Sequence, residues 1–225
     1  MSSLPQTPET PPDANAPIVI AVDGPAASGK GTIARSLATH FQLPHMDTGM
    51  LYRAVALSMA RFGGDPGSEF EAVRACEGTA QVSPDDPELR GELVGSIASR
   101  ISAYPGVRAA LIERQVAFAG QPGGAVLDGR DIGTVIAPNA TVKLFVTASA
   151  EVRARRRLAE LEARGKSSHY DDVLIDIVAR DERDAGRDAA PLVQASDAIL
   201  LDTSDMDADA AVAAAIRLVE AKLAR

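Results

Sequence analysis

The chain has 225 residues, 46% hydrophobic and 24% charged, with a net charge of -8 and a single cysteine, Cys76. That length suits one sizeable α/β core with small inserts and falls short of two large domains. The negative charge argues against a protein that grips a nucleic-acid backbone, and the lone cysteine excludes an internal disulfide framework and points to a reducing, cytoplasmic setting. No apolar run approaches a membrane span, and the start lacks the basic and apolar segments of a secretory leader, so no membrane association is expected.

The first 17 residues hold five of the 14 prolines and neither lysine nor arginine, which predicts a disordered, solvated tail over 1–16 ahead of a single domain at 17–225. Residues 17–22 (PIVIAV) are a β-branched run ending at Asp23-Gly24, a strand signal, and after Gly29 an alanine-rich 3.6-residue period predicts a helix to about 39. A very short strand is expected at 43–46, with Asp47 at its carboxyl end. Apolar runs at 124–127, 142–147 and 198–202 are apolar on both faces, as buried parallel strands are. Helical patterns at 50–61, 104–119, 151–163, 171–185 and 209–223 lie between and after the strands. The alternation predicts a three-layer α/β fold with right-handed crossovers, a central parallel sheet of about five strands, and ligands at the strands' carboxyl ends.

Two segments break that alternation. Residues 62–102 contain Gly63-Gly64, Pro66, Pro84 and Pro87, with a weak strand signal at 79–82, and predict a small insert beside the core. Residues 165–191 mix charges of both signs with glycine and suit a mobile cover.

Gly24, Pro25, Ala26, Ala27, Ser28, Gly29, Lys30, Gly31 and Thr32 (GPAASGKGT) have the spacing of a phosphate-binding loop between a strand and a helix, and are the candidate ATP-binding residues. In such a loop successive backbone N–H groups and a helix N-terminus face the phosphates while the lysine adds a point charge. Gly31 stands where a serine or threonine is usual, and the hydroxyl comes one residue later. This G-K-G-T order resembles the loop of nucleoside monophosphate kinases, which implies that Thr32 supplies the hydroxyl.

Further motifs follow in order: Asp47-Thr48-Gly49 with Tyr52-Arg53, then DGRDIGT at 128–134, then RDERD at 180–184 with Arg187, ahead of Ala190-Pro191-Leu192. Together they resemble the bacterial cytidylate kinase family. The resemblance implies transfer of the γ-phosphoryl of ATP to CMP or dCMP, on a P-loop core with a nucleotide-binding insert at about 62–102 and a helical lid at about 165–191. It also implies Mg2+ arriving with ATP and keeping most of its waters, with a monomeric enzyme expected. The insert is shorter than the family's long versions, and a β-hairpin expected near 84–89 is trimmed.

Under this resemblance Lys30 is the donor-side charge, and Arg53, Arg130 and Arg187 are candidates for the acceptor phosphate, since a guanidinium fork matches phosphate oxygens. Exposed ion pairs are the plainer reading of each arginine. Asp128, ending a strand, either orients metal-bound water or caps a turn; with Lys30, Arg130 and Arg187 it completes the expected catalytic group. Asp47 and Thr48 belong to the expected CMP-binding set. Cytosine offers a donor at N4 and an acceptor at N3, which the resemblance matches with Ser99 and Asp131 toward N4 and Arg108 toward N3. Arg180 and Asp184 carry over to the sugar hydroxyls or form an i,i+4 pair on a helix. Arg153 and Arg157 either reach ATP or belong, with Arg155 and Arg156, to a solvated face. His40, His45 and His169 are scattered, so no resident metal site is expected. The rivals are an adenylate or uridylate kinase on the same core, a nucleotide switch, and a nucleic-acid-dependent ATPase.

Overall fold

The computed structural model describes residues 17–224; the predicted tail at 1–16 lies outside them. Five strands, β1 (Ile18–Asp23), β2 (His45–Asp47), β3 (Gly124–Gly129), β4 (Val142–Thr147) and β5 (Ile199–Asp202), form one parallel sheet in the order β2-β3-β1-β4-β5. Every residue of β3 is buried, because helices cover both faces of the sheet. On one face α1 (Lys30–Phe41) and α8 (Ala208–Leu223) bury Ile33, Leu37, Ala215 and Val219 against Ile20, Val22, Val126 and Leu144. On the other, α5 (Pro105–Ala119) packs Ala119, Ile112 and Phe118 against Ala21 and Leu127. The alternation of side chains along β1 thus feeds two cores at once.

Parallel strands place all their carboxyl ends on one rim. Asp47 stands opposite Asp128 in the β2–β3 register, and Asp23 opposite Gly129 in the β1–β3 register. Three acidic strand ends therefore converge beside the glycine loop.

Between β2 and β3 the described chain has helices and turns but no strand. It holds α2 (Thr48–Phe62), α3 (Glu69–Glu77) and α4 (Glu92–Ile101), which share with the start of α5 a core of Val55, Met59, Leu89, Ile97, Ile101 and Val107. The weak strand signal at 79–82 is overridden: Gly78–Gln81 forms a tight helical turn, and no strand edge lies near it to offer a ladder. The trimmed hairpin is a second such turn, Pro87–Arg90, where Pro87 supplies a fixed φ and Asp86 caps the Glu88 N–H at 3.0 Å. Its purpose is to bury Leu89, which is 2% exposed.

Beyond β4, α6 (Ala150–Ala163) starts on a Ser149 cap and pairs with α7 (Tyr170–Ala185) around Ala154, Leu161, Val173 and Ile177. Ala27, inside the glycine loop, packs on that small core. The cover expected at 165–191 is built around α7.

Candidate active site

The phosphate loop is shaped by backbone that only some residues can adopt. A Cβ on Gly24 would lie 2.0 Å from the Val146 carbonyl oxygen of β4, so this position must be glycine for the loop to leave β1 at that angle. Gly29 takes the left-handed conformation (φ 87°) as the N-cap of α1, and Ala27 does so too (φ 58°), a cost of about 1 kcal/mol for a residue with a Cβ. Ala26, Ala27, Lys30 and Gly31 face the cleft, while Thr32 is exposed on the first turn of α1, where its Oγ accepts from Arg35 at 3.4 Å. The Lys30 ammonium donates to the Pro25 carbonyl at 3.0 Å, folded back over its own loop. Burial, aided by the positive charge of Arg130, pushes its pKa down to about 7.

Beside the loop, Asp128 is 3% exposed. Its Oδ1 bonds to His45 Nε2 at 2.7 Å, and its Oδ2 faces Gly31, 3.7 Å from where a Cβ there would stand. Thr48 donates its hydroxyl to the Asp128 carbonyl at 2.8 Å, pinning α2 to β3. Burial first, and the Asp128 charge second, hold Asp47 above the ordinary carboxylate pKa. A buried and a half-buried carboxylate beside a phosphate loop are a donor set suited to a divalent cation. They are too few for an all-protein cage, which fits Mg2+ carried in with a polyphosphate and keeping its waters. His45, given no role by the sequence, is the partner of Asp128; its place two residues before Asp47 on one strand, hence on the same face, is the signal that could have found it.

Across the cleft the arginines are organised by acids. Asp184 accepts from Arg130 Nε at 2.7 Å and from Arg187. Burial works to raise its pKa, but Arg130, Arg187 and Arg180 together bring it below the usual carboxylate value. Asp184, expected at the sugar hydroxyls, has one guanidinium on each oxygen and a side chain 1% exposed, and each oxygen keeps a second lone pair. Of the two readings of Arg180 and Asp184, the i,i+4 pair does not form: Arg180 makes no hydrogen bond to Asp184 and its buried Nε has no partner. Arg180 lines the cleft, where burial and the charge of Arg130 lower its pKa to about 9, leaving it charged at neutral pH. Arg53 donates to the carbonyls of Leu89 (2.7 Å) and Gly91 (3.2 Å), tying the insert's second turn to the cleft wall.

Arg153 and Arg157, paired in sequence, separate in space. Arg157 lines the cleft and bonds Glu160 at 3.1 Å. Arg153 is neither solvated nor part of the cleft lining: it donates to Ala148 O (2.9 Å) and Ala26 O (3.3 Å), and grips Asp181 of α7 with both terminal nitrogens (2.9 and 2.5 Å). Four of its five N–H groups are taken by these bonds, which make Arg153 a strut between the glycine loop and α7.

At the far end, Ser99, Arg108 and Asp131 all line the cleft. Arg108 donates to Asp131 and to the Tyr52 hydroxyl (3.4 Å), and the buried Ser99 Oγ lines the cleft with no partner at all. An orphan hydroxyl beside a polarised acid–guanidinium pair is an unfilled hydrogen-bonding site. Asp23, which the sequence shows only as a strand end, accepts from the backbone N–H groups of Ile132 (2.9 Å) and Gly133 (2.7 Å).

A phosphate loop on a parallel sheet, buried carboxylates at its edge and facing arginines under a helical hairpin define a P-loop kinase of the small-substrate kind. The family profile described as cytidylate kinase matches residues 20–221, and a cytidylate kinase of Xanthobacter autotrophicus is 58% identical over 210 residues, 92% of this chain and 99% of that one. The chain belongs to the cytidylate kinase family. Cytidylate kinases of Rhodopseudomonas palustris (strain TIE-1; 55% identity, 91% of this chain and 96% of that one) and Azorhizobium caulinodans (55%, 90% and 98%) are similar to the same extent. A solved structure of an uncharacterized protein from Eubacterium ventriosum shares the fold, with a TM-score of 0.54 at 14% identity over 90% of this chain and 98% of that one.

Proposed function

We infer that the protein is an ATP-dependent (d)CMP kinase, giving CDP or dCDP and ADP. An oxygen of the acceptor phosphate forms the new bond to the γ-phosphorus of ATP, and the bond from that phosphorus to the β,γ-bridging oxygen breaks, its electron pair leaving on ADP. Both reactants are anions, so catalysis is largely positioning and charge stabilisation in a site closed to water. The observation that carries the reading is the convergence of Lys30, Arg53, Arg130, Arg157, Arg180 and Arg187 on one cleft of a chain whose net charge is -8.

Within it, Lys30 swings from Pro25 onto the donor phosphates, and Arg157 reaches ATP from α6. Arg130 and Arg187, held by Asp184, meet the acceptor phosphate, joined by Arg53; Arg180 serves the sugar hydroxyls. Asp47 and Asp128 would hold water around Mg2+ bound with ATP, and Thr48 fixes Asp128. When bound, that cation neutralises charge on the transferring phosphoryl group and its leaving oxygen. Ser99 and Asp131 accept from cytosine N4, and Arg108 donates to N3. The insert at 62–102 closes on the acceptor, and the α6–α7 lid excludes water. Among the described residues no helix is long and apolar enough to cross a membrane, and with the lone cysteine this supports work in the cytoplasm.

Measuring ADP release with ATP and each common nucleoside monophosphate tests the reading. CMP and dCMP should stand well above UMP, AMP and GMP; equal use of all five would remove the cytidylate assignment.

A further inference from the structure

Asp23 is the last residue of β1, one peptide bond before the glycine that opens the phosphate loop, and its side chain is used by a different segment. A short helical turn, Ile132–Ile136, follows Arg130 and Asp131, and its first N–H groups have no partner within the turn. Asp131, at the N-cap, does not cap it. Asp23 does: Oδ1 accepts from Ile132 at 2.9 Å and Oδ2 from Gly133 at 2.7 Å. Gly133 lets the strand end come this close, because a Cβ there would lie 3.1 Å from Lys143 Cδ and 3.4 Å from Asp23 Oδ2.

This arrangement is electrostatically costly. Burial pushes the Asp23 pKa up to about 6, with the Asp131 charge adding to it and the two N–H bonds and Arg130 opposing it. An aspartate 5% exposed, beside a second acid, is a poor choice for fold stability alone. What the carboxylate does that no amide can is accept two N–H bonds with two equivalent oxygens.

We propose that Asp23 is a positioning residue that locks the acceptor-reading segment 130–133 to the base of the phosphate loop and so sets where Arg130 and Asp131 stand relative to the donor phosphates. The proposal rests on the kinase reading given above. Arg130 and Asp131 lie immediately before the two tethered amides, and each is gripped from its far side, by Asp184 and Arg108 respectively. Without the tether, those pairs would still form, but their distance from Lys30 would no longer be fixed.

The test is Asp23→Asn, isosteric and able to accept from only one of the two amides. The KM for CMP should rise about tenfold and the preference for CMP over UMP in kcat/KM should narrow by a similar factor, while the KM for ATP changes less than about twofold. Amide exchange should quicken at Ile132 or Gly133 and stay slow at Ile20 and Val22. Gly133→Ala, which crowds the same contact from the other side, should reproduce the CMP-side defect. A wild-type preference for CMP that Asp23→Asn leaves intact, or equal losses for CMP, UMP and ATP, overturns the positioning role alone. Wild-type protein that does not distinguish CMP from UMP overturns the base-reading assignment and this proposal with it.

Discussion

The Asp184 carboxylate accepts a hydrogen bond from Arg130 Nε at 2.7 Å while its other oxygen accepts from Arg187, so one buried anion fixes the spacing of two cleft arginines that are far apart in sequence. Asp184→Asn keeps the shape and removes the charge, leaving buried guanidiniums uncompensated. We expect a stability loss of about 3–5 kcal/mol, the usual result of breaking a buried pair from one side, together with at least tenfold lower turnover. The pH dependence follows from the sign. A carboxyl whose folded pKa is depressed contributes stability that is present above its unfolded pKa and is lost as pH falls through the folded value. Melting curves should therefore show a gap between wild type and variant at neutral pH that closes only below about pH 4. A gap that persists unchanged in strong acid would contradict the charge argument.

Lys30 predicts the opposite effect on stability. Its pKa in the folded protein is lowered to about 7 by burial and by Arg130, against 10.5 ordinarily. Below pH 7 the fold carries the full cost of a crowded charge, and the cost fades as pH rises toward 10.5, where both states are neutral. Lys30→Met should thus stabilise the fold at neutral pH, by on the order of 1–2 kcal/mol after allowing for partial exposure and read as a higher melting temperature, and lower turnover by roughly 10²-fold. The gain should shrink on going to pH 10. A variant that loses both stability and turnover would show the lysine to be structural.

Much of this was legible in sequence because it is local. The apolar strands, the helix after Gly29 and the loop between them are each set by residues adjacent in the chain. Ser99, Arg108 and Asp131 were named from motif resemblance and do meet in the cleft. What could not be read was which partner each charge would choose. Asp184 was carried over to the sugar hydroxyls from the resemblance, with Arg180 at i-4 as its alternative partner; Arg187 at i+3 was within reach of the sequence, whereas Arg130 follows β3 and meets Asp184 only once the fold brings α7 to it. His45 and Asp23 carry no motif at all, and their roles exist only once β2, β3 and β1 are side by side. The strand signal at 79–82 failed for a related reason: strand propensity counts only where a partner strand lies alongside, and Gly78–Gln81 packs on helices instead.

The base pocket makes a prediction about selectivity. Uracil has an acceptor where cytosine has the N4 donor, and a donor at N3, so Asp131 would face an acceptor and Arg108 a donor. A site built around such bonds discriminates strongly, and partial opening to solvent reduces this to roughly 10² in kcat/KM for CMP over UMP. Ser99→Ala and Asp131→Ala should each hurt CMP more than UMP and narrow the ratio. Arg187→Ala, acting on the phosphate both share, should depress the two alike. If all three variants change CMP and UMP in parallel, base reading lies elsewhere.

Arg153 links the glycine loop to α7, the two parts that the proposed mechanism needs to close together against water. Its Nη1 reaches the Ala26 carbonyl in the phosphate loop at 3.3 Å, and its Nη1 and Nη2 hold Asp181 on α7 at 2.9 and 2.5 Å. Arg153→Met keeps the aliphatic stem packed and removes all of these bonds, so α7 remains folded on its Leu161, Val173 and Ile177 core but loses its tie to the loop. A lid that seats less firmly admits water beside the γ-phosphate, where it competes with the acceptor. Inorganic phosphate released per CDP formed should rise about tenfold in the variant, with KM for CMP little changed, since a partial loss of preorganisation is typically of that order. Arg157→Ala, which lines the cleft without bridging to the loop, should instead raise the KM for ATP and leave the hydrolysis ratio near wild type. Parallel measurement of CDP and phosphate in both variants separates the two roles: an unchanged ratio in Arg153→Met would mean that the lid closes without this strut.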